Sequence, residues 1–396
     1  MIVCKVWDSE YPWDVRVAKI AQTLSDASHI VHLVARNRTG GPAVEHLSEC
    51  IVHRLSTIPS IGRRLNDLSM FPAFFNPRWF RLIWRTASQQ HAGLILVRDL
   101  PLAPTAIWVG RLLRLPVVLD MAENYPAMIR AVWETGRRRP TDILVRNPSI
   151  VRLVEQYAVR HVDHVLVVTE ESRDRLLSEG IPEHRITIVS NTPHRSRIDQ
   201  YQNANQDRGA ALRVFYLGLL EVARGIGVLL EAVARSVKRG PITLDIVGAG
   251  RDESLFQDQA ARLGLGPDVV RFHGFVRNQE ALAAMGAADV GIIPHFADEA
   301  WNTTIPNKLF DYMAAGLPVV TSDAAPPARI VRSTGAGVVF RDRDADDLAR
   351  ALERLRDPER RKACGMAGRA AIASVYHWEK DAAALLAVID QFRDHK

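Results

Sequence analysis

The chain has 396 residues and a formal net charge of +6. At roughly 150 residues per domain, this length predicts two or three domains. The composition is 47% hydrophobic and 24% charged, with 24 glycines and 21 prolines, which excludes a disordered or collagen-like chain. The excess of positive charge suggests an anionic ligand or surface. Because we find no zinc-finger, helix-turn-helix or RNP motif, the sequence predicts no nucleic-acid partner.

The cysteines and the apolar segments bear on the location of the protein. Cys4, Cys50 and Cys364 lie far apart and form no Cys-x-x-Cys pattern, so we expect reduced thiols in a cytoplasmic protein. Lys5 interrupts the only apolar run of the N-terminus, so no secretory signal is expected. No segment reaches the roughly 18 consecutive apolar residues of a membrane span. Peripheral attachment to the inner face of the cell membrane stays open.

Short apolar runs rich in valine and isoleucine alternate with amphipathic helical patterns along the chain. They are IVCKVW, IVHLVA, LILVR, PVVLD and HVLVVT in the first half, and RVFYLG, TLDIVG, VVRFHG, VGIIP and PVVTS in the second. Runs of this kind predict strands of parallel sheets that are buried on both faces. Since the pattern occurs twice, the predicted fold class is α/β, with two doubly wound, Rossmann-like domains.

Residues 60–92 form a basic and aromatic segment in the first half. Its central part, PRWFRLIWR, interleaves three arginines with aromatic and aliphatic residues. This composition suits a helix that lies in the interface of an anionic membrane. The alternative is a helix that packs its aromatic side chains on the sheet and points its arginines to water.

A polar segment, residues 192–211, separates the two halves and predicts a linker. We therefore place an N-terminal domain at 1–195 and a C-terminal domain at 205–375. The last helical pattern, residues 376–396, is expected to pack on either domain, including a return to the N-terminal one. Two such domains that face each other would form a cleft at the carboxyl ends of both sheets, where these folds bind ligands.

The segment NTTIPNKLFDYMAAGLPVV predicts a short helix after Pro306. We expect Pro306 in the first turn, with neighbouring Thr and Asn side chains as caps. The free amides and the helix dipole would form an anion site, to which Lys308 adds a positive charge. One turn later, Asp311 would accept hydrogen bonds from sugar hydroxyls. These features predict a nucleotide diphosphate site, and a plain capped helix is the alternative.

The segment PNKLFDYMAAGLPVV resembles the donor-binding motif of the family 4 glycosyltransferases, which are retaining enzymes of the GT-B fold that use nucleotide-activated sugars. The resemblance extends over nearly the whole chain. Asp14 and Arg16 occupy a Pro-x-Asp-x-Arg-Val pattern near the start, and Asn191 occupies the usual Asn position in ITIVSNTP. In the second half, VFYLGLLEVARGIGVLLEAV, LDIVGAGRDESLFQDQAARLGL and VVRFHGFVRNQEALAAMGAADVGIIPH follow in the family order.

The resemblance implies that a loop after Gly218 carries Arg224 and Gly225 to the donor phosphates. An arginine can hold a diphosphate through two donors, and a glycine lets the backbone approach closely. The family usually has a second basic residue where this chain has Leu219, so we expect phosphate binding to depend on Arg224 and Lys308. The alternative is that Arg224 is an ordinary surface charge.

Two further segments are implied to contact the nucleotide. The Gly-x-Gly turn of Gly248 and Gly250 would pass close to it, although such a turn also occurs in βα connections without a ligand. Backbone groups around Phe275 and Val276 would hydrogen-bond the base edge, with Arg277 beside the base.

The residues expected to contact the transferred sugar depart from the family pattern. The family commonly has a glutamate eight residues before the position of Asp311, where this chain has Thr303, and Asp311 itself replaces a glutamate. We expect backbone amides between Trp301 and Ile305 to contact the sugar instead. The predicted substrate-binding segment is Thr303, Thr304, Ile305, Pro306 and Asn307.

The acceptor side is implied by LPVVLDMAENYP in the first half. In relatives, a histidine or acidic residue near this place lies close to the acceptor hydroxyl. The resemblance implies that Asp120 orients the acceptor and that Glu123 takes its proton or stabilises positive charge on the sugar. A helix-capping acid is the alternative for Glu123. With Arg224 and Lys308, these two residues form the implied catalytic set, and we expect no metal and no cofactor beside the nucleotide-sugar.

The resemblance therefore implies a retaining glycosyltransferase of polysaccharide biosynthesis. It would move a hexose unit from a nucleotide diphosphate-sugar, with UDP favoured, to a glycan or lipid-linked acceptor. The alternatives are a nucleotide-sugar epimerase of the same two-domain shape and a non-catalytic nucleotide-sugar-binding protein. A dehydrogenase is disfavoured, because no Gly-x-Gly-x-x-Gly follows the first predicted strand.

Overall fold

The structure is a computed structural model that describes residues 1–58, 62, 65–66, 69, 73–134, 147–198 and 211–393. The chain divides into two compact units, which we call unit 1 (residues 1–190 and 381–396) and unit 2 (residues 191–380). Residues 191–195, which the sequence analysis assigned to the N-terminal domain, are thus part of unit 2. Most of the predicted linker, residues 199–210, lies outside the described residues.

Unit 1 is built on an eight-stranded sheet. Its strands are β1 (Ile2–Val6), β2 (Ile30–Ala35), β3 (Val44–His46), β4 (Ile51–Arg54), β5 (Leu94–Arg98), β6 (Val117–Met121), β7 (His164–Val167) and β8 (Ile186–Ile188). They lie in the order β3-β4-β2-β1-β5-β6-β7-β8. All neighbouring pairs are parallel except β3 and β4, which are antiparallel.

Helices cover the sheet of unit 1. Those in its described residues are α1 (Val15–Asp26), α2 (Pro77–Gln89), α3 (Ala103–Leu113), α4 (Tyr125–Glu134), α5 (Pro148–His161) and α6 (Glu170–Ser178). Short polar side chains begin several of them: Asp14 accepts a hydrogen bond from the Val17 amide at 2.9 Å, and Asn76 and Asn147 cap α2 and α5 in a similar way.

Unit 2 is built on a six-stranded sheet. Its strands are β9 (Leu212–Leu217), β10 (Ile242–Val247), β11 (Val270–Gly274), β12 (Val290–Ile293), β13 (Val319–Ser322) and β14 (Gly337–Phe340). They are all parallel and lie in the order β11-β10-β9-β12-β13-β14. This is the strand order of a nucleotide-binding Rossmann fold, in which ligands bind where the order reverses, here between β9 and β12.

Eight helices follow β9 along the chain in the described residues. They are α7 (Ile226–Val237), α8 (Glu253–Arg262), α9 (Asn278–Gly286), α10 (Asn307–Ala315), α11 (Ala325–Thr334), α12 (Ala345–Arg354), α13 (Pro358–Ser374) and α14 (Trp378–Asp390). Helix α14 begins in unit 2 and continues in unit 1. Among the helices described, none is long and apolar enough to cross a bilayer.

All ten apolar runs are strands, so this part of the sequence prediction is confirmed. Their valine and isoleucine side chains fill the two hydrophobic cores, because helices on both faces of a parallel sheet leave neither face to solvent. The sequence analysis missed β3, β4 and β14. These strands contain histidine, charged residues or a leading glycine, so none forms a continuous aliphatic run.

Candidate active site

The switch point of unit 2 is formed by the loops that follow β9 and β12. The amide of Phe296, after β12, donates a hydrogen bond of 3.3 Å to the carbonyl of Ala223, after β9. The same loop after β12 begins with Pro294 and the buried His295. The fold therefore places the loop that carries Arg224 directly beside the end of β12.

Two predicted phosphate-binding cations meet at this point. Nζ of Lys308 lies 4.1 Å from the centre of the Tyr216 ring and 3.5 Å from Nε2 of His295. The guanidinium carbon of Arg224 lies 5.1 Å from the centre of the Trp301 ring, which is itself 4.1 Å from the His295 ring. Cation–π contacts of this kind hold positive charge at a site without neutralising it.

Little negative charge compensates these cations. Among the described residues, the one carboxylate within 4.0 Å of either cation is that of Glu221, whose Oε2 lies 3.8 Å from Nε of Arg224. Burial and the neighbouring Arg224 lower the pKa of Lys308 well below its ordinary value. An anion bound here would reverse this shift, because an opposite charge favours the protonated lysine.

Lys308 is the second residue of α10, so the start of this helix belongs to the same site. Pro306 is the N-cap of this helix, with φ −73° and ψ 129°, and its side chain offers no hydrogen-bond acceptor. The sequence prediction was wrong on both details, since it placed Pro306 in the first turn and expected a Thr or Asn cap. Because the N-cap residue uses none of the first amides, these donors and the helix dipole remain suited to an anion.

Two glycines make room for this arrangement. Gly225 has φ +70°, and a Cβ there would lie 1.7 Å from the carbonyl oxygen of Pro294. Gly218 has φ +145°, and a Cβ there would lie 2.8 Å from Nζ of Lys308. Glycine is needed at both positions, since a side chain would part the two loops at Gly225 and displace Lys308 at Gly218.

The Gly-x-Gly turn has a structural role of its own. A Cβ at Gly248 would lie 2.0 Å from the carbonyl oxygen of Gly218, and a Cβ at Gly250 would lie 2.2 Å from that of Leu220. The loops after β9 and β10 therefore pack backbone on backbone. This packing explains both glycines without a ligand, and their contact with the nucleotide stays a prediction.

The predicted sugar-binding segment leads into α10. The hydroxyl of Thr303 donates to the carbonyls of Glu299 and Ala300 at 3.2 Å, so this side chain closes a turn. Asp311 is half-buried, one turn after Lys308. Of the remaining members of the segment, Thr304, Ile305 and Pro306 are buried and Asn307 is exposed.

The predicted base-binding residues follow β11, the edge strand beside β10. Phe275 is 88% exposed, Val276 is half-buried, and Arg277 is exposed and is the N-cap of α9. The amide of Gly248 donates to the carbonyl of Gly274 at 2.8 Å, which joins this loop to the Gly-x-Gly turn. An aromatic side chain this exposed has a free face for stacking.

In unit 1, Asp120 ends β6 within a buried cluster of charges. Nη2 of Arg16 lies 2.6 Å from Oδ1 of Asp120, and Nη1 of Arg98 lies 3.7 Å from Oδ2. Burial opposes ionisation, but Arg16, Arg98 and Lys5 outweigh it and hold the pKa of Asp120 at about 2. The side chain of Asp120 is 0% exposed, and its carboxylate holds Arg16 and Arg98 in place. The role of Asp120 in orienting the acceptor stays a prediction.

Glu123 lies two residues beyond the end of β6. The carboxamide oxygen of Asn124 accepts a hydrogen bond from the Ala127 amide at 3.2 Å, so Asn124 provides a cap for α4. Glu123 is half-buried, and its negative charge acts on Arg98. Glu123 is therefore the more accessible of the two predicted acids.

Sequence reasoning missed two polar residues at the switch points. His295 is the first polar residue after β12, and Asp99 directly follows β5. Asp99 has φ +57°, and its Oδ1 accepts a hydrogen bond from the Ala122 amide at 3.1 Å. Each residue follows the strand that lies beside the first Rossmann strand where the strand order reverses: β12 lies beside β9, and β5 lies beside β1. Ligands bind at this place in such folds, so the position after these strands was the signal that would have found both residues.

Comparisons with known proteins match both units. Residues 14–192 match the family described as Glycosyl transferase 4-like domain, and residues 211–357 match Glycosyl transferases group 1. The chain is 32% identical over 179 residues to phosphatidyl-myo-inositol mannosyltransferase of Mycolicibacterium smegmatis, with 45% of this chain and 44% of that protein covered. It is 27% identical over 239 residues to glycogen synthase of Mycobacterium tuberculosis, with 59% and 55% covered. The chain thus spans about half the length of the curated relatives it matches.

Solved structures share the fold over the whole chain. Sucrose-phosphate synthase from Thermosynechococcus elongatus has a TM-score of 0.77 at 18% identity, with 100% of both chains covered. HepE of Anabaena in complex with UDP has a TM-score of 0.73 at 15% identity, with 99% of this chain and 100% of that chain covered. Identities this low establish the fold alone.

Two Rossmann-like units with parallel sheets and these structural neighbours define a protein of the GT-B class. The family matches lie one on each unit. The chain belongs to family 4 of the glycosyltransferases. The predicted fold class and the resemblance stated from the sequence are both confirmed.

Proposed function

We propose that this protein transfers a sugar from a nucleotide diphosphate-sugar, with UDP as the favoured nucleotide, to a glycan or lipid-linked acceptor. The observation that carries the proposal is the pair of cations, Arg224 and Lys308, gathered at the switch point of unit 2 with one weak carboxylate contact between them. Two basic side chains at a helix start suit a diphosphate, and a bound anion favours the protonated form of Lys308. HepE, a neighbour in fold, binds UDP and UDP-glucose in its solved structures.

The same charges suit catalysis. When the bond between sugar and phosphate breaks, negative charge develops on the leaving diphosphate, and prepositioned donors stabilise it. Lys308, Arg224 and the first amides of α10 supply these donors. In this proposal the leaving phosphate assists deprotonation of the acceptor on the same face of the sugar, so that the configuration is retained. No metal cofactor is needed, because the two cations and the helix start carry that charge.

The remaining donor contacts follow the family pattern. Backbone groups around Phe275 and Val276 hold the base, with Arg277 beside it, and Asp311 accepts hydrogen bonds from the ribose. The amides between Trp301 and Ile305 contact the transferred sugar. The exposure of Phe275 and the half-buried position of Asp311 support these roles.

Unit 1 is proposed to bind the acceptor. Glu123 is the candidate to take the acceptor proton or to stabilise positive charge on the sugar, since it is half-buried rather than enclosed. Asp120 acts indirectly by fixing Arg16 and Arg98.

A peripheral membrane contact on unit 1 would bring the protein to a lipid-linked acceptor from the cytoplasmic side. Helix α2 buries Trp79 and Ile83, which supports the packing alternative, but Trp84 stays 40% exposed between exposed arginines. Helix α2 packs on α3, where Trp108 is 49% exposed. Exposed tryptophans among arginines suit an anionic lipid surface. Within the predicted segment, residues 60–61, 63–64, 67–68 and 70–72 lie outside the described residues.

A thermal-shift panel of UDP-, GDP- and ADP-sugars tests the donor class, because a ligand that binds the native state raises its melting temperature. Lys308→Met and Arg224→Met should lose most of the shift, whereas Arg262→Met, which changes an exposed arginine on α8 of the same unit, should keep it. No shift with any donor contradicts the proposal.

Turnover separates the proposal from its alternatives. Slow donor hydrolysis without an acceptor, with sugar transfer when glycan or lipid acceptors are added, supports a glycosyltransferase. Interconversion of epimeric donor sugars would indicate an epimerase. Binding of a donor with neither reaction would indicate a non-catalytic nucleotide-sugar-binding protein.

A further inference from the structure

A single histidine contacts both halves of the cationic site in unit 2. His295 is 1% exposed and directly follows Pro294 at the end of β12. Its Nε2 lies 3.5 Å from Nζ of Lys308, and its ring lies 4.1 Å from that of Trp301. Because Arg224 lies over the ring of Trp301, His295 contacts both Lys308 and the aromatic ring that packs on Arg224.

A hydrogen bond from the neighbouring strand holds the backbone of His295. Its carbonyl accepts a hydrogen bond from the hydroxyl of Ser322, at the end of β13. The side chain therefore projects from a loop position whose backbone is tied to the end of β13. A residue held in this way can set the position of a flexible lysine side chain, which has four rotatable bonds of its own.

The imidazole is suited to accept a hydrogen bond from Lys308. Burial, together with the positive charges of Lys308 and Arg224, holds the pKa of His295 well below its ordinary value, so the ring is neutral at pH 7. Among the described residues, the other titratable groups beside this cluster include Tyr216, whose ring lies under Nζ of Lys308, and Glu221 beside Arg224. Asp298 is a third, since its Oδ1 accepts a hydrogen bond from the Trp301 amide at 3.0 Å. A neutral ring can accept the Lys308 proton at Nε2 and carry its own proton at Nδ1.

The second ring nitrogen, Nδ1, indicates that His295 does more than fill space. Nδ1 of His295 has no hydrogen-bond partner among the described residues, although it is buried. A buried donor without a partner costs stability, so its presence requires another reason. An apolar side chain would fill the same space between Trp301 and Lys308 without that cost if packing alone were needed.

We propose that His295 is a positioning residue of the donor site: it accepts a hydrogen bond from Lys308 and supports Trp301 under Arg224, so that both cations face the donor diphosphate. The inference rests on the proposed function and names a residue that neither the family pattern nor the sequence analysis assigned. His295 contacts Lys308 and Trp301 and is proposed to act through them rather than on the reacting atoms, so its role is indirect.

Two amide variants test this role. In His295→Gln the side-chain oxygen reaches about as far as Nε2 and can accept from Lys308, whereas in His295→Asn the amide is one carbon shorter and cannot. His184→Gln, which changes an exposed histidine of unit 1, is the matched control. The probes are inorganic pyrophosphate and UDP, with dissociation constants measured by calorimetry from pH 6.5 to 9 and folding checked by urea denaturation.

We expect His295→Asn to bind pyrophosphate and UDP about tenfold or more weakly than the wild type, while His295→Gln stays within about threefold. A hydrogen-bond acceptor favours the charged lysine, so the pH above which pyrophosphate binding weakens should move down in His295→Asn and not in His295→Gln. A residue that only fills space would change affinity without moving this pH.

Three results would overturn the inference, and they distinguish a failure of the role of His295 from a failure of the proposed function. If the wild type binds the probes and both variants bind equally well, or both fail equally with an unmoved pH dependence, His295 does not position Lys308, while the donor site itself stands. If the folded wild type binds neither pyrophosphate nor UDP, the proposed function fails and this inference fails with it.

Discussion

Arg16 and Asp120 are 104 residues apart in the sequence, and Nη2 of Arg16 lies 2.6 Å from Oδ1 of Asp120. Their side chains are 3% and 0% exposed. Arg16 also donates to the carbonyl of Ser190, the last residue of unit 1 before the chain enters unit 2. The pair thus ties α1, β6 and the end of the first segment of unit 1 together.

Replacing Asp120 should therefore damage stability strongly. Asp120→Asn leaves Arg16 and the nearby Lys5 buried without a full counter-charge, and breaking a buried pair in this way costs about 3–5 kcal/mol. Asp174→Asn, at an exposed ion pair of the same unit, should change the free energy of unfolding by less than about 0.5 kcal/mol. Urea denaturation of the three proteins gives the comparison, and equal losses in both variants would contradict it.

The pH dependence of stability should report on Lys5. Burial lowers the pKa of this fully buried lysine from 10.5 to about 8, against the attraction of Asp120. Since the folded value lies below the unfolded one, the unfolded chain binds more protons between pH 8 and 10.5, and stability rises with pH in that window. The shift corresponds to a rise of about 3 kcal/mol.

Lys5→Met isolates this contribution. The variant should lack the rise between pH 8 and 10.5, whereas Lys362→Met, at an exposed lysine of α13, should keep it. Free energies of unfolding measured at several pH values in both variants decide the matter. An unchanged rise in Lys5→Met would show that another group causes it.

Two glycines with the same backbone angle allow a matched test of loop contact. Gly225 has φ +70° and Gly264 has φ +71°, so alanine carries the same backbone strain of about 1–2 kcal/mol at each. At Gly264 the added Cβ meets nothing within 4 Å, whereas at Gly225 it meets the Pro294 carbonyl. Gly225→Ala should therefore lose more stability and bind UDP more weakly, because the loop that carries Arg224 has to move. Equal UDP affinity in both folded variants would contradict the assigned role of this loop.

The membrane contact predicts a loss of vesicle binding in one surface variant. Trp84→Gln combined with Trp108→Gln removes two exposed aromatic side chains from α2 and α3. The double variant should sediment less with vesicles that contain anionic phosphatidylglycerol, since interfacial binding depends on buried apolar area. Met366→Gln, which changes a 63% exposed residue of unit 2, is the control. Equal sedimentation of all three proteins would end the membrane proposal.

The strands, and the positions of Arg224 and Lys308 beside the end of β12, were predictable because their signals are local. Valine-rich runs identify buried strands, and the family motif around Lys308 is contiguous in sequence. The setting of Asp120 was not predictable in the same way, because its burial depends on Lys5, Arg16 and Arg98, which come from three separate elements. From the sequence alone, a carboxylate at the end of a strand is expected to be accessible, because the cations that surround it in the fold are not apparent.

His295 was missed for a related reason. Its contacts with Trp301 and Lys308 arise from loops whose paths depend on glycines packed against backbone, and no sequence pattern gives those paths. The N-cap of α10 was also misjudged by one residue, since Thr, Asn and Pro all favour helix starts and their order did not decide which one caps.

The most direct measurement is a crystal structure of the protein with UDP bound. We predict that the diphosphate lies against the start of α10, with Nζ of Lys308 and the guanidinium of Arg224 within about 3 Å of its oxygens. Density for UDP at another place on the protein, or a diphosphate that contacts neither Arg224 nor Lys308, would contradict the account.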